Sequence, residues 1–85
     1  MTEDEADHWM LEQFHLHGFL YQEEAAHHLS FFEDLTLAYY DQESNLCVGK
    51  GVLARFNALT PDAVYERGEK FWRLRLETDD PGRQQ

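Results

Sequence analysis

Apolar residues in the first eighteen positions recur at helical spacing. At about 100° per residue, Ala6, Met10, Phe14 and His17 fall close together, flanked by Trp9, Gln13 and Leu16. The pattern predicts a first helix that starts near Thr2 or Asp4 and stops at Gly18. Acids crowd its first turn, where they complement the helix dipole, and glycine is a natural stop. His8, Glu12 and His15 fall on the opposite, wet side. His17 is aimed at the core edge, as a hydrogen-bonded structural histidine rather than a ligand. Phe19-Leu20-Tyr21-Gln22 is a short extended piece that leads into a second helix over about 22–33. Ala25, Ala26, Leu29 and Phe32 form its apolar stripe; Glu24, His27, His28 and Phe31 face the other way. Phe31 serves either a partner surface, where aromatics are favoured, or as a cover for the hairpin that follows, and the cover is the preferred reading.

From Leu35 the composition turns to that of strands. Leu35-Thr36-Leu37-Ala38-Tyr39-Tyr40, the polar turn 41–45 and Leu46-Cys47-Val48 read as a hairpin. Gly49-Lys50-Gly51 punctuates the chain before a third helix, 51–59, with Val52, Leu53, Phe56 and Leu59 at helical spacing and Thr60-Pro61-Asp62 as its end. Residues 63–76 alternate around Arg67-Gly68 as a second hairpin. Trp72, Leu74 and Leu76 lie on one face, with Phe71, Arg73 and Arg75 on the other, arginines outward. The same segment admits a helix capped by Thr60 with Pro61 at its first position; Gly68 and the clean alternation favour strands. The expected fold is α+β: a small winged-helix-like domain of three helices and two β-hairpins over residues 1–76, with 77–85 as a flexible polar tail.

Composition sharpens this picture. Eighty-five residues with 42% apolar content support one modest core and no second domain. The formal charge of −10 argues against generic nucleic-acid or anionic-membrane affinity. It is unevenly placed: residues 1–49 contain all five histidines and no Lys or Arg, so every base lies in 50–85. Such asymmetry points to a polar interaction surface, although acids also serve simply to keep a small protein soluble.

Cys47 is alone, so no intramolecular disulfide and no Cys-based zinc cluster forms, and a small buried hydrophobe is its expected role. An acidic N-terminus unlike a signal peptide, and the lack of an apolar run of about 20 residues, lead to the expectation of a cytoplasmic protein without membrane contact. Glu12-Gln13-Phe14-His15 and Glu24-Ala25-Ala26-His27 are both Glu-x-x-His, the pattern that supplies ligands in di-iron bundles. The helical wheel sets both on wet faces, so no metal and no other cofactor is expected. Gly49-Lys50-Gly51 lacks the rest of a P-loop, and Ser30 and Ser44 lack a nucleophile elbow. An enzyme is not expected.

Gly18-Phe19-Leu20-Tyr21-Gln22 with Ala25-Ala26, Val52-Leu53-Ala54-Arg55-Phe56, Tyr65-Glu66-Arg67-Gly68-Glu69 and the ending Pro81-Gly82-Arg83-Gln84-Gln85 resemble a family of small uncharacterised bacterial proteins found in mobile DNA. The resemblance implies a compact α/β domain of unassigned function and carries over no catalytic residue. Three roles follow from the residues. The leading one is a non-enzymatic interaction or regulatory module, binding a protein partner or a second copy of itself through Glu12, Glu23, Glu24, Phe31 and Tyr40. The second is a winged-helix DNA-binding regulator using helix 51–59 and hairpin 63–76, with Lys50, Arg55, Arg67, Arg73 and Arg75 meeting the duplex. The third is a nucleic-acid mimic whose acidic half blocks a basic protein.

Overall fold

The computed structural model describes residues 1–75. Its elements run α1 (Glu3–His17), β1 (Phe19–Tyr21), α2 (Gln22–Ser30), β2 (Ala38–Tyr40), β3 (Leu46–Val48), α3 (Lys50–Leu59), β4 (Ala63–Glu66) and β5 (Phe71–Leu74). The fold is α+β, with three helices and two small antiparallel sheets among the described residues. Leu76 and the expected tail 77–85 lie outside the described residues.

Local chemistry sets most boundaries. Thr2 caps α1 through a reciprocal pair: the Glu5 amide donates to Thr2 Oγ1 at 3.1 Å and the Thr2 amide donates to Glu5 Oε1 at 2.9 Å. Gly18 closes the helix in the left-handed region at φ 80°, its amide donating to the Phe14 carbonyl. α2 stops at Ser30, three residues before the sequence pattern ends. The amides of Phe31, Phe32 and Glu33 donate three residues back, to His28, Leu29 and Ser30, and Glu33 takes the left-handed conformation at φ 54°. A glutamate thus fills the place glycine usually takes. In the β2–β3 turn the Asp41 carboxylate accepts the amides of Glu43 and Asn45 at 2.8 and 2.9 Å.

β1, β5 and β4 form one sheet in that order, with Leu20 opposite Trp72 and Tyr65 also opposite Trp72; β2 and β3 form the other. α1 packs chiefly on α3, and α2 on the β2–β3 hairpin. Phe56 joins the layers, edge-on to Phe14 with ring centroids at 6.1 Å and to Trp72 at 5.1 Å. Ala6, Met10, Leu29, Leu37 and Val52 complete a buried cluster shared by all three helices.

Several side chains depart from the pattern. His17 is exposed, its ring tilted against that of Phe19 at 6.2 Å, because α1 ends before that arc reaches the core. Early termination of α2 leaves Phe32 exposed, and Phe31 is 73% exposed, so it does not cover the hairpin. Leu16, Leu59 and Leu74 are also exposed. Arg73 does not point freely outward: its Nε and Nη2 donate to Glu66 Oε1 at 3.0 and 2.6 Å, and Nη1 donates to the Leu74 carbonyl at 3.0 Å. Cys47 is half-buried rather than buried, and burial pushes its thiol above the usual range.

A candidate partner-binding cleft beside α2

The first residue of α2 is held by the β4–β5 turn. The Gln22 amide donates to the Lys70 carbonyl at 2.9 Å, and Gln22 Oε1 accepts the Tyr65 hydroxyl at 2.6 Å. Burial raises the Tyr65 hydroxyl pKa above its ordinary value, which keeps it a donor. Lys70 sits in the left-handed region at φ 58°, its own amide donating to the Glu66 carbonyl at 2.7 Å. A non-glycine residue there is held by its surroundings.

This anchorage shapes one wall of a cleft of about 270 Å³ lined by Gln22, Glu23, His27, Asn45, Leu46 and Lys70. A second depression of about 460 Å³, lined by Tyr21, Glu23, Glu24 and His27, shares Glu23 and His27 with it. Tyr40 lies directly opposite Leu46 in the hairpin register, so the two stand on one face of that sheet. Phe31 meets the His27 ring edge-on at 5.1 Å. Four of the residues singled out for protein contact, Glu23, Glu24, Phe31 and Tyr40, therefore border one surface made by α2 and the β2–β3 hairpin. Glu12 lies on α1, away from the cleft lining.

The basic residues are divided. Arg55 Nη1 lies 3.6 Å from Asp4 Oδ1, and Arg73 is bound to Glu66. Lys50 borders a shallow pocket with Glu3, Leu35, Thr36 and Tyr39. Arg67 is exposed in the β4–β5 turn, and Arg75 is exposed with its backbone amide donating to the Asp62 carbonyl at 2.8 Å.

A further cluster was not legible as a site. Asp7 is only 1% exposed, on the arc of α1 that carries Met10 and Phe14, and its Oδ1 has no hydrogen-bond partner among the described residues. His8 Nδ1 lies 3.2 Å from that oxygen, 3.6 Å from Asp4 Oδ2 and 2.7 Å from the Asp4 carbonyl. Burial raises the Asp7 carboxyl pKa, with the nearby His8 pulling it back down. The available signal was the spacing Asp4, Asp7, His8, with one acid on the apolar stripe.

A family model matches residues 2–74, which spans every element from α1 to β5. The chain belongs to DUF6953, a family of unknown function. The DUF6953 match includes the Glu66-Arg67-Gly68 piece of the β4–β5 turn and stops short of Pro81-Gly82-Arg83-Gln84-Gln85. Neither a curated protein nor a solved structure gives a significant match.

Proposed function

We propose that this DUF6953 chain is a non-enzymatic protein-interaction module that docks its partner on α2 and the β2–β3 hairpin. One observation carries the reading: Phe31 is 73% and Tyr40 68% exposed, the first in ring contact with His27, which lines a depression with Glu23 and Glu24, the second opposite Leu46, which lines the adjoining cleft. Exposed aromatics next to a cleft supply the apolar anchors that interfaces use, and the acids around them favour a basic rim on the partner. The cytoplasm, and the bacterial mobile-DNA setting that the resemblance implies, complete this reading. Among the described residues no helix is long and apolar enough to cross a membrane.

The test is size-exclusion chromatography with light scattering, run alongside capture from a bacterial lysate. The parent chain is expected to self-associate or retain a discrete partner, and Phe31→Ser with Tyr40→Ser is expected to abolish this without loss of helix content. A parent chain that is monomeric at high concentration and retains nothing removes the proposal.

Connectivity favours a second reading. With β1 pairing β5 and the β4–β5 hairpin following α3, the topology fits the winged-helix plan, in which α3 and that hairpin would meet DNA. The close, part-buried ion pair of Arg73 weighs against it, because phosphate would have to displace Glu66. Duplex binding at low salt that is lost when Arg67, Arg73 and Arg75 become Ala would establish it over the first reading.

A further inference from the structure

We infer that Asp4, Asp7 and His8 form a binding site for one divalent transition-metal ion where α1 meets α3. The three residues each present a ligand atom, and all three atoms lie within 4.8 Å of one another. Ligand atoms around one small divalent ion sit roughly 2.0–2.4 Å from it, and hence roughly 3–5 Å from each other. The 3.2 Å and 3.6 Å separations from His8 Nδ1 to Asp7 Oδ1 and Asp4 Oδ2 fall in that range.

The buried carboxylate makes this more than a surface cluster of acids. Asp7 is withdrawn from water on the core side of α1, yet among the described residues its Oδ1 accepts no hydrogen bond and has only the ionic contact to His8. A buried, unsatisfied carboxylate oxygen costs free energy unless a cation meets it. The orphaned oxygen is 3.2 Å from the exposed imidazole of His8, so the unmet acceptor belongs to the same cluster as the other two ligands. The other cation nearby is Arg55 of α3, 3.6 Å from Asp4 Oδ1; both side chains of that pair are largely exposed. Such pairs are weak, and an ion with two charges in direct contact with both carboxylates would displace the guanidinium. His8 would exchange its 2.7 Å contact with the Asp4 carbonyl for the ion.

Two carboxylates and one imidazole define the class. Oxygen ligands alone suit Mg²⁺, Ca²⁺ and Mn²⁺, whereas the imidazole shifts preference to Zn²⁺, Fe²⁺ or Ni²⁺. Three protein ligands leave coordination positions for water.

Calorimetric titration of the chelator-stripped full chain with Zn²⁺, and separately with Mn²⁺ and Ca²⁺, tests the inference. One equivalent of Zn²⁺ is expected to bind, with Mn²⁺ weaker and Ca²⁺ much weaker. Asp7→Asn, which keeps the shape of the side chain, and His8→Ala are each expected to weaken binding at least about tenfold. The triple variant His15→Ala, His17→Ala and His27→Ala is expected to bind like the parent. Circular dichroism confirms that each variant is folded. No saturable uptake of Zn²⁺ by the parent overturns the site. So does parental affinity in Asp7→Asn and His8→Ala, or loss of binding in the triple variant alone, since either marks adventitious capture by exposed histidines.

Discussion

The indole of Trp9 and the imidazole of His28 lie face to face, with ring centroids 3.9 Å apart and planes 5° from parallel. This stack joins α1 to α2, and the His28 ring in turn meets Phe32 at 6.0 Å. His28→Ala is expected to lower stability by about 1 kcal/mol, the size of a well-placed ring pair. Urea denaturation of His28→Ala, Trp9→Ala and the double variant measures the coupling; additive single effects would show that the stack contributes nothing.

Phe56 is fully buried between Phe14 of α1 and Trp72 of β5. Phe56→Ala is expected to cost about 3–5 kcal/mol, as for other large-to-small core changes. That is a large fraction of the stability of a small domain. Its urea midpoint is expected to fall well below that of Leu59→Ala, an exposed position on the same helix.

Gly49 is needed for space rather than for its dihedral angle. A Cβ at this position would overlap the Thr36 carbonyl, while the Gly49 amide donates to the Leu37 carbonyl at 2.7 Å. Gly49→Ala is expected to destabilise by about 2 kcal/mol or more, since backbone must shift to admit the methyl group. Gly68→Ala, where a Cβ meets open space, is the matched control and is expected to be nearly neutral.

Three of the shifted groups make the pH profile testable. Burial raises the Asp7 carboxyl pKa, so ionised Asp7 opposes folding, and the opposition fades as pH falls through the raised value. In metal-free buffer Asp7→Asn is therefore expected to melt higher than the parent at neutral pH, with the difference vanishing in acid below 3.8, its ordinary pKa. The His8 pKa is raised, first by its hydrogen bond to the Asp4 carbonyl and then by the Asp4 charge. Its contribution is complete below 6.5, its ordinary pKa, and is lost as pH rises through the folded value; His8→Ala is expected to remove that decline. Asp41 is shifted the other way: the Asn45 amide, above all, lowers its pKa. Its stabilisation is present above 3.8, its ordinary pKa, and is lost as pH falls through the lowered value. Asp41→Asn is expected to flatten this acid limb, as followed by thermal melts across pH.

Elements whose signals are local were legible in the sequence. Thr2 and Gly18 bracket α1, and alternation around Arg67-Gly68 marks the β4–β5 hairpin. Where tertiary contact decides, the pattern misled. Phe31 and Phe32 continue the helical spacing, but α2 ends because Glu33 adopts a left-handed turn that no glycine announces. Arg73 reads as outward by alternation, yet Glu66 on the neighbouring strand draws it into an ion pair. At the candidate cleft, Glu23, Glu24, Phe31 and Tyr40 were identifiable as residue types. Lys70 and Gln22 were not, because their roles arise from a backbone hydrogen bond between distant parts of the chain. Asp7 was missed as a ligand because the acidic start of α1 was read as dipole-compensating and this acid, one turn further on, was not weighed by itself. The 3.6-residue period instead places this one on the buried arc.

β1 finds its ladder partner in β5, and the start of α2 hangs on the carbonyl of Lys70. During synthesis on a ribosome, the first helix and the first strand therefore emerge long before the strand that completes them. Until Trp72 has been added, Leu20 has nothing opposite it, and a nascent chain stalled before Phe71 presents an open strand edge to its neighbours.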